Sequence, residues 1–345
     1  MPLDDAIRVI ESARASGVFP AATMEVGASS AVIASYASGT ELSTPFDLAS
    51  LTKVIATTTI VMALVQSGSV SLDEPVSSFF AEWRAADREG VTVRDLLEHA
   101  SGLPARLLDA PPGGRREFEH EICATPLEYM PRSRSIYSDL GFILLGFIAA
   151  DRGGAPLDAL FDRITVGQQA DTTSGLLAFD LPIDVRQLAA PTAPMQEDSR
   201  RGRTLTGEVH DNYAAALGGA AGHAGLFGDV RGVGAFAQAM LRAARGDSTV
   251  PPPLTPDAVH RFTTKTSVPG SSRALGWDTM LPTSSCGTRM SAAAFGHVGF
   301  TGTSLWIDPE RDRYFVLLSN RVSGGGTLDE IRTVRRAFHD ALGDI

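Results

Sequence analysis

The 345 residues are 43% hydrophobic and 20% charged, enough to bury one large core or two modest ones. With a net charge of −10 and no block of five or more Lys/Arg, the chain lacks the electrostatic footprint of a nucleic-acid binder. Cys123 and Cys286 stand far apart with no CxxC and no His at ligand spacing, which reads as two reduced thiols and not as a disulfide or metal site.

In chain order, Leu3, Ile7, Ile10 and Ala13 repeat at helical spacing and predict a first helix ending near Gly17. The same stretch has acids at positions 4 and 5, no basic segment before them and no uninterrupted apolar run, so it is not read as a signal peptide. The longest apolar run, FILLGFIAA at 142–150, is too short to span a bilayer. A soluble, cytoplasmic protein is expected. "AATMEVGASSAVIASYASG" reads as two strands around a Gly-Ser turn, and a helical stretch follows over about 50–67. From 70 to about 245 the pattern is helix and loop, broken at "APPGGRR" (110–116) and "DRGGAP" (151–156); "VPPPLTP" (250–256) marks a further joint. "AFGHVGFTGTSLWIDP" and "RYFVLLSN" predict two strands joined at "PERD". "TLDEIRTVRRAFHDAL" predicts a closing helix with Thr327 as N-cap and Glu330 at its third position. Strands at both ends and helices between them predict an α/β chain of the α+β type. Its antiparallel sheet domain is drawn from 1–69 and 246–345 and flanked by the first and last helices; a mainly helical domain over 70–245 is inserted between them. The sequence carries no signal of oligomeric state.

One of the two lysines of the chain, Lys53, stands three residues after Ser50 in an apolar stretch. On a helix these side chains share a face, with Cβ atoms about 5–6 Å apart. A helix starting near Ser50 also aims its free N–H groups and positive dipole end at the serine. A serine hydroxyl becomes a nucleophile when a neighbouring base takes its proton. Lysine serves as that base if its pKa falls from about 10.4 toward 7–8, roughly 3–4 kcal/mol of differential solvation. Leu48, Val54 and Ile55 are placed to supply part of that desolvation. Taken alone, the pair is better read as a lysine reaching outward from a buried helix, because SxxK arises by chance in many proteins.

Three further segments follow in order: "VTVRDLLEHASGLPA" (91–105), "YSDLGFILLG" (137–146) and "FGHVGFTGTSLWIDP" (295–309). With SxxK at Ser50 they resemble the serine β-lactamase and penicillin-binding-protein superfamily, in the branch holding class C β-lactamases, D-amino-acid peptidases and β-lactamase-fold esterases. The likeness runs from "GVFPAATMEVG" to "VLLSNR". It implies an active site between the two domains, Ser50 as the acylated nucleophile, Lys53 as the buried lysine that shares in proton transfer, and Tyr137 as the partner general base. His297-Val298-Gly299 corresponds to the family's Lys-Thr-Gly strand motif. The backbone N–H groups of Ser50 and Phe300 would form the oxyanion hole, each typically worth about 3–4 kcal/mol in the transition state.

Three positions depart from the β-lactamase pattern: Asp139 stands for Asn, His297 for Lys and Val298 for Thr. All three lower the expected affinity for a substrate carboxylate, unless an arginine from elsewhere replaces the clamp. Facing Lys53, Asp139 would favour the ammonium form and weaken that base. "APTAPMQEDSR" (190–200) and "GEVHDNYAAALGGAAGHAGLF" (207–227) resemble a bacterial subgroup that includes muramyl-peptide amidases. The glycines around His223 predict a tight loop beside the active site, with His223 bonding to backbone; His210, Asp211 and His223 are not read as a metal site. His99, His120, His260 and His339 are read as structural or solvent-facing. The expected function is a serine hydrolase for a small ester or amide substrate, without metal or organic cofactor. Esterase or amidase ranks first, with substrates that include muramyl peptides and D-amino-acid amides. D-alanyl peptidase follows, then β-lactamase; a slow-acylating sensor on the same fold is the reading of another class.

Overall fold

The computed structural model describes residues 2–107, 111–166, 175–343 and 345; Ala110, at the start of the expected break at 110–116, lies outside them. The first helix, Pro2–Ala15, leads into strands β1 (Ala22–Gly27) and β2 (Val32–Ser38), an antiparallel hairpin. Three strands of two residues each, β3 (Phe46–Asp47), β4 (Leu177–Ala178) and β5 (Phe227–Gly228), form a small sheet in the order β3-β5-β4. Such short strands carry no period, and the sequence did not announce them. The chain then supplies β6 (Asp278–Thr279), β7 (Phe295–Val298), β8 (Ser304–Asp308) and β9 (Arg313–Ser319). The main antiparallel sheet runs β2-β1-β9-β8-β7-β6, so the N-terminal hairpin joins the C-terminal strands through the β1–β9 pair.

Period-two alternation divides that sheet between two cores. Met24, Val26, Phe315 and Leu317 pack with Ala6 and Ile10 of the first helix and with Ile331 and Phe338 of the closing helix Leu328–Leu342. Val316 and Leu318 belong to the larger core, with Val230, Val233 and Met240. The closing helix starts as expected, with a capping box between Thr327 and Glu330.

One expectation is corrected. The stretch 294–309 is a hairpin and not one strand: His297 lies opposite Leu305 and Val298 opposite Ser304, with the chain turning through 299–303. Gly302 takes φ +118°, which favours glycine. At Gly299 a Cβ would come 2.5 Å from the Leu48 carbonyl oxygen. The helix Val230–Ala244 packs across β1, β8 and β9. The centre of the helical part is Asp139–Gly153, whose residues 140–149 are all buried. No single helix among the described residues is long and apolar enough to cross a membrane.

Glu25 on β1 is buried against Gly234, where any side chain would collide with its carboxylate. It accepts hydrogen bonds from the Tyr314 hydroxyl at 2.9 Å and the Ser35 hydroxyl at 3.3 Å. Burial pushes its carboxyl up from 4.5 to about 7, against the pull of those hydroxyls. The folded pKa exceeds the unfolded one, so the stability Glu25 contributes is complete below about pH 4.5 and is lost as pH rises through 7. Glu25→Gln should therefore flatten the decline in stability between about pH 5 and 8, gaining roughly 2–3 kcal/mol at the upper end. Denaturant midpoints at the two pH values check this; an unchanged slope would remove Glu25 as its source.

Candidate active site

The site begins at the end of β3. The Asp47 carboxylate accepts the backbone N–H groups of Ala49 at 2.8 Å and His210 at 2.6 Å, and Ala49 takes a left-handed φ of 47°. This turn delivers Ser50 to the head of a helical run. The run is not one regular helix: Lys53–Thr57 forms a π-helical turn before the α-helix Thr58–Gln66. Such widened turns are common at functional sites.

Lys53 is fully buried, and its ammonium donates to Ser50 Oγ at 3.2 Å, Asp139 Oδ1 at 2.8 Å and the His223 carbonyl at 3.0 Å. All three of its N–H donors are occupied. The Tyr137 hydroxyl donates to the same Ser50 Oγ at 2.7 Å, and its ring centroid lies 4.8 Å from Lys53 Nζ. Ser138 caps the helix Asp139–Gly153, which places Tyr137 and Asp139 on either side of the cap. The structure thus brings Ser50, Lys53, Tyr137 and Asp139 together.

A closed chain of charge runs behind them. Asp139 Oδ2 accepts from Arg106 at 3.0 Å, Arg106 donates to Asp211 at 2.8 Å, and Asp211 Oδ1 meets His223 Nε2 at 2.8 Å. Here the expectation for His223 is corrected. The loop is tight, with Gly222 pressed against the Phe142 carbonyl and Gly146, but the imidazole bonds a carboxylate. It is the His223 carbonyl that reaches Lys53.

Burial disfavours the Lys53 ammonium, yet Asp139 and Tyr137 outweigh it and hold the amine above its ordinary pKa. Burial also raises the Tyr137 phenol, with Lys53 pulling only partly back. The Asp139 carboxyl is favoured as its anion: burial opposes this, and Lys53 and His223 overcome it. The resting site therefore holds its protons, with Ser50 Oγ accepting from both neighbours.

A cavity of about 260 Å³ opens on Ser50 and is lined in part by Tyr137, Arg273, His297, Phe300 and Arg332. Among the described residues, neither the Ser50 N–H nor the Phe300 N–H donates to a protein acceptor. His297 Nδ1 lies 2.9 Å from the Val298 carbonyl, which fixes the proton on Nδ1 and leaves a buried, unpartnered Nε2 lone pair. Burial, Arg273 and Lys53 push the imidazole well below its usual pKa, so it is neutral. Arg273 brings a cation to the same cavity: its guanidinium lies 5.3 Å from the Tyr137 ring centroid, and it has no ion pair among the described residues. Arg332 also faces the cavity and, among the described residues, forms an ion pair only with the exposed Asp329. Asp139 is paired with Lys53 and Arg106, and Asp278 is a carboxylate that lines the cavity itself.

Sequence reasoning does not single out Arg106, Arg273 or Asp47 and weighs Asp211 only as a metal ligand; His99, expected to be structural or solvent-facing, is buried. His99 Nδ1 accepts the Ser138 N–H at 3.1 Å, and its ring lies 4.8 Å from that of Tyr137. Its place beside the "ASGL" turn was the one local signal available.

The family model described as "Beta-lactamase" matches residues 8–339. A curated Escherichia coli (strain K12) protein named "Putative D-alanyl-D-alanine carboxypeptidase" is 32% identical over 314 residues, covering 81% of this chain and 69% of its own length. Two solved structures share the fold. A class C β-lactamase from Rhodobacter sphaeroides has a TM-score of 0.77 at 18% identity, covering 98% of both chains. EstCE1, described as a hydrolase with promiscuous acyltransferase activity, has a TM-score of 0.75 at 19% identity, covering 99% of this chain and 98% of its own.

Proposed function

Because the chain belongs to the β-lactamase family, a family of serine hydrolases, we propose that it cleaves a small ester or amide through an acyl-enzyme on Ser50, and that its substrate carries a carboxylate beside the scissile bond, as a D-alanyl peptide does. The observation that carries this is Ser50 Oγ, held by Tyr137 at 2.7 Å and Lys53 at 3.2 Å on a cavity that also presents the unpaired Arg273. Once the Lys53–Tyr137 unit has lost a proton to solvent, Ser50 Oγ attacks the substrate carbonyl carbon and its own proton passes to that unit. The carbonyl oxygen takes up the negative charge between the N–H groups of Ser50 and Phe300. Collapse breaks the bond to the leaving group, which receives the proton; water then repeats the sequence and frees the acid. The name of the Escherichia coli relative, "Putative D-alanyl-D-alanine carboxypeptidase", supports the choice of substrate. A neutral ester is the second reading, favoured by Phe300 and Leu328, two exposed large apolar side chains on the rim of the same cavity.

Intact-mass measurement after a fluorophosphonate probe, followed by hydrolysis of short-chain esters, D-alanyl amides, muramyl peptides and a cephalosporin, tests the reading. The charge of the substrate is tested at Arg273. At an effective dielectric near 20, a cation–carboxylate pair contributes up to about 3–4 kcal/mol, and partial solvation reduces that. Arg273→Gln should lower kcat/KM for a carboxylate substrate roughly 10- to 100-fold relative to its neutral analogue. Equal losses on both analogues would contradict a carboxylate subsite at Arg273.

A further inference from the structure

Two buried arginines converge on the turn that carries the second oxyanion donor. Arg335, on the closing helix, donates through Nη2 to the Gly299 carbonyl at 2.6 Å and the Thr303 carbonyl at 2.9 Å. Arg321, just after β9, donates to the Phe300 carbonyl through Nη2 at 2.6 Å and Nε at 3.2 Å. They are 6% and 5% exposed, and neither has a carboxylate partner among the described residues. A buried cation left without a counter-ion costs several kcal/mol. Hydrophobic residues of similar shape would fill the same space without that cost.

The geometry of the peptide gives the arrangement a use. In a trans peptide the C=O and N–H point in opposite directions. The Gly299 carbonyl is held by Arg335 and by the Gly302 N–H at 3.1 Å. The other end of the same peptide is the Phe300 N–H, which has no protein acceptor and belongs to a residue lining the Ser50 cavity. A cation on the carbonyl oxygen also withdraws electron density through the amide and makes its N–H a stronger donor. We propose that Arg335, backed by Arg321, is a positioning residue for the oxyanion hole: it fixes the Gly299–Phe300 peptide with its N–H toward Ser50, and its unpaired charge strengthens that donor as the oxyanion forms. The inference rests on the acyl-enzyme reading above, whose failure would show separately, as a parent protein that takes up no fluorophosphonate on Ser50.

The test uses Arg335→Met, which keeps much of the side-chain length and removes the charge, assayed on a neutral short-chain ester so that no substrate carboxylate is involved. kcat/KM should fall by about 10- to 1000-fold, the upper end matching loss of a whole oxyanion donor, with KM within about twofold. Inhibition by a boronic acid, whose tetrahedral Ser50 adduct places an oxygen in the hole, should weaken by a similar factor. The thermal midpoint should not fall. Unchanged ester turnover in folded Arg335→Met, or unchanged boronate inhibition beside lost turnover, would overturn the proposal. Should that variant not fold, Arg335→Ala with added methylguanidinium is the second arm. Restored ester turnover supports the proposal, and a folded Arg335→Ala that is fully active without the additive overturns it.

Discussion

Ser50→Ala should abolish ester and amide turnover, by at least about 10⁴-fold, and with it the mass adduct of a fluorophosphonate. The expectation follows from what each candidate hydroxyl touches. Ser50 Oγ receives hydrogen bonds from Tyr137 and Lys53 and lies on the cavity. Ser138 is buried, its hydroxyl donating to the Pro104 carbonyl at 2.6 Å and accepting the Gly141 N–H as a helix cap. Ser101 is 1% exposed and accepts the Leu103 N–H. Neither faces a base. The substitution removes one oxygen atom and leaves the Asp47 turn intact, so the variant should fold, with a circular dichroism spectrum matching the parent. An adduct that persists on Ser50→Ala, or that maps to Ser101 or Ser138, would refute the assignment.

Short-range features of the fold were readable in the sequence because their causes are short-range. The β1–β2 hairpin shows strand-forming runs around turn residues, and the closing helix shows its capping box. The Ser50–Lys53 contact needed only one helical turn. What stayed hidden depends on distant segments. Arg106 lies 33 residues from Asp139 and 105 from Asp211, and nothing in local spacing joins them. Arg273 enters the cavity from a segment with no motif of its own. The hairpin at 294–309 was hidden for another reason: the apolar pattern continues through Phe300, which is exposed on the turn, so alternation alone did not show where the strand ends. The charge at position 139 was legible, and so was its effect on Lys53. Its pairing with Arg106 was not.

The proton inventory of the resting site leads to a pH-dependent prediction. Lys53 donates all three of its N–H bonds, and Tyr137 donates its hydroxyl to Ser50. Both groups are held above their ordinary pKa values. Ser50 can release its proton only after this unit has lost one, so kcat/KM should climb as pH rises, with one ascending limb belonging to the pair and not to either residue. Lys53→Ala and Tyr137→Phe should each lower turnover at least ~100-fold, the usual contribution of a general base, and the double variant should be little worse than either single. Fully multiplicative losses would exclude a shared unit. Asp139 gives the sign. Its carboxylate stabilises the Lys53 ammonium, raises the amine's pKa and so reduces the fraction of the unit that is deprotonated at neutral pH. Asp139→Asn removes that negative charge and keeps one acceptor oxygen, enough for Lys53 or for Arg106 but not for both. The ascending limb should then move to lower pH, and turnover near neutrality should rise relative to the alkaline plateau. The comparison is made within each variant's own profile, because a loss of positioning lowers the plateau without moving the limb. A limb that stays in place, or moves to higher pH, would show that Asp139 does not hold the proton on Lys53.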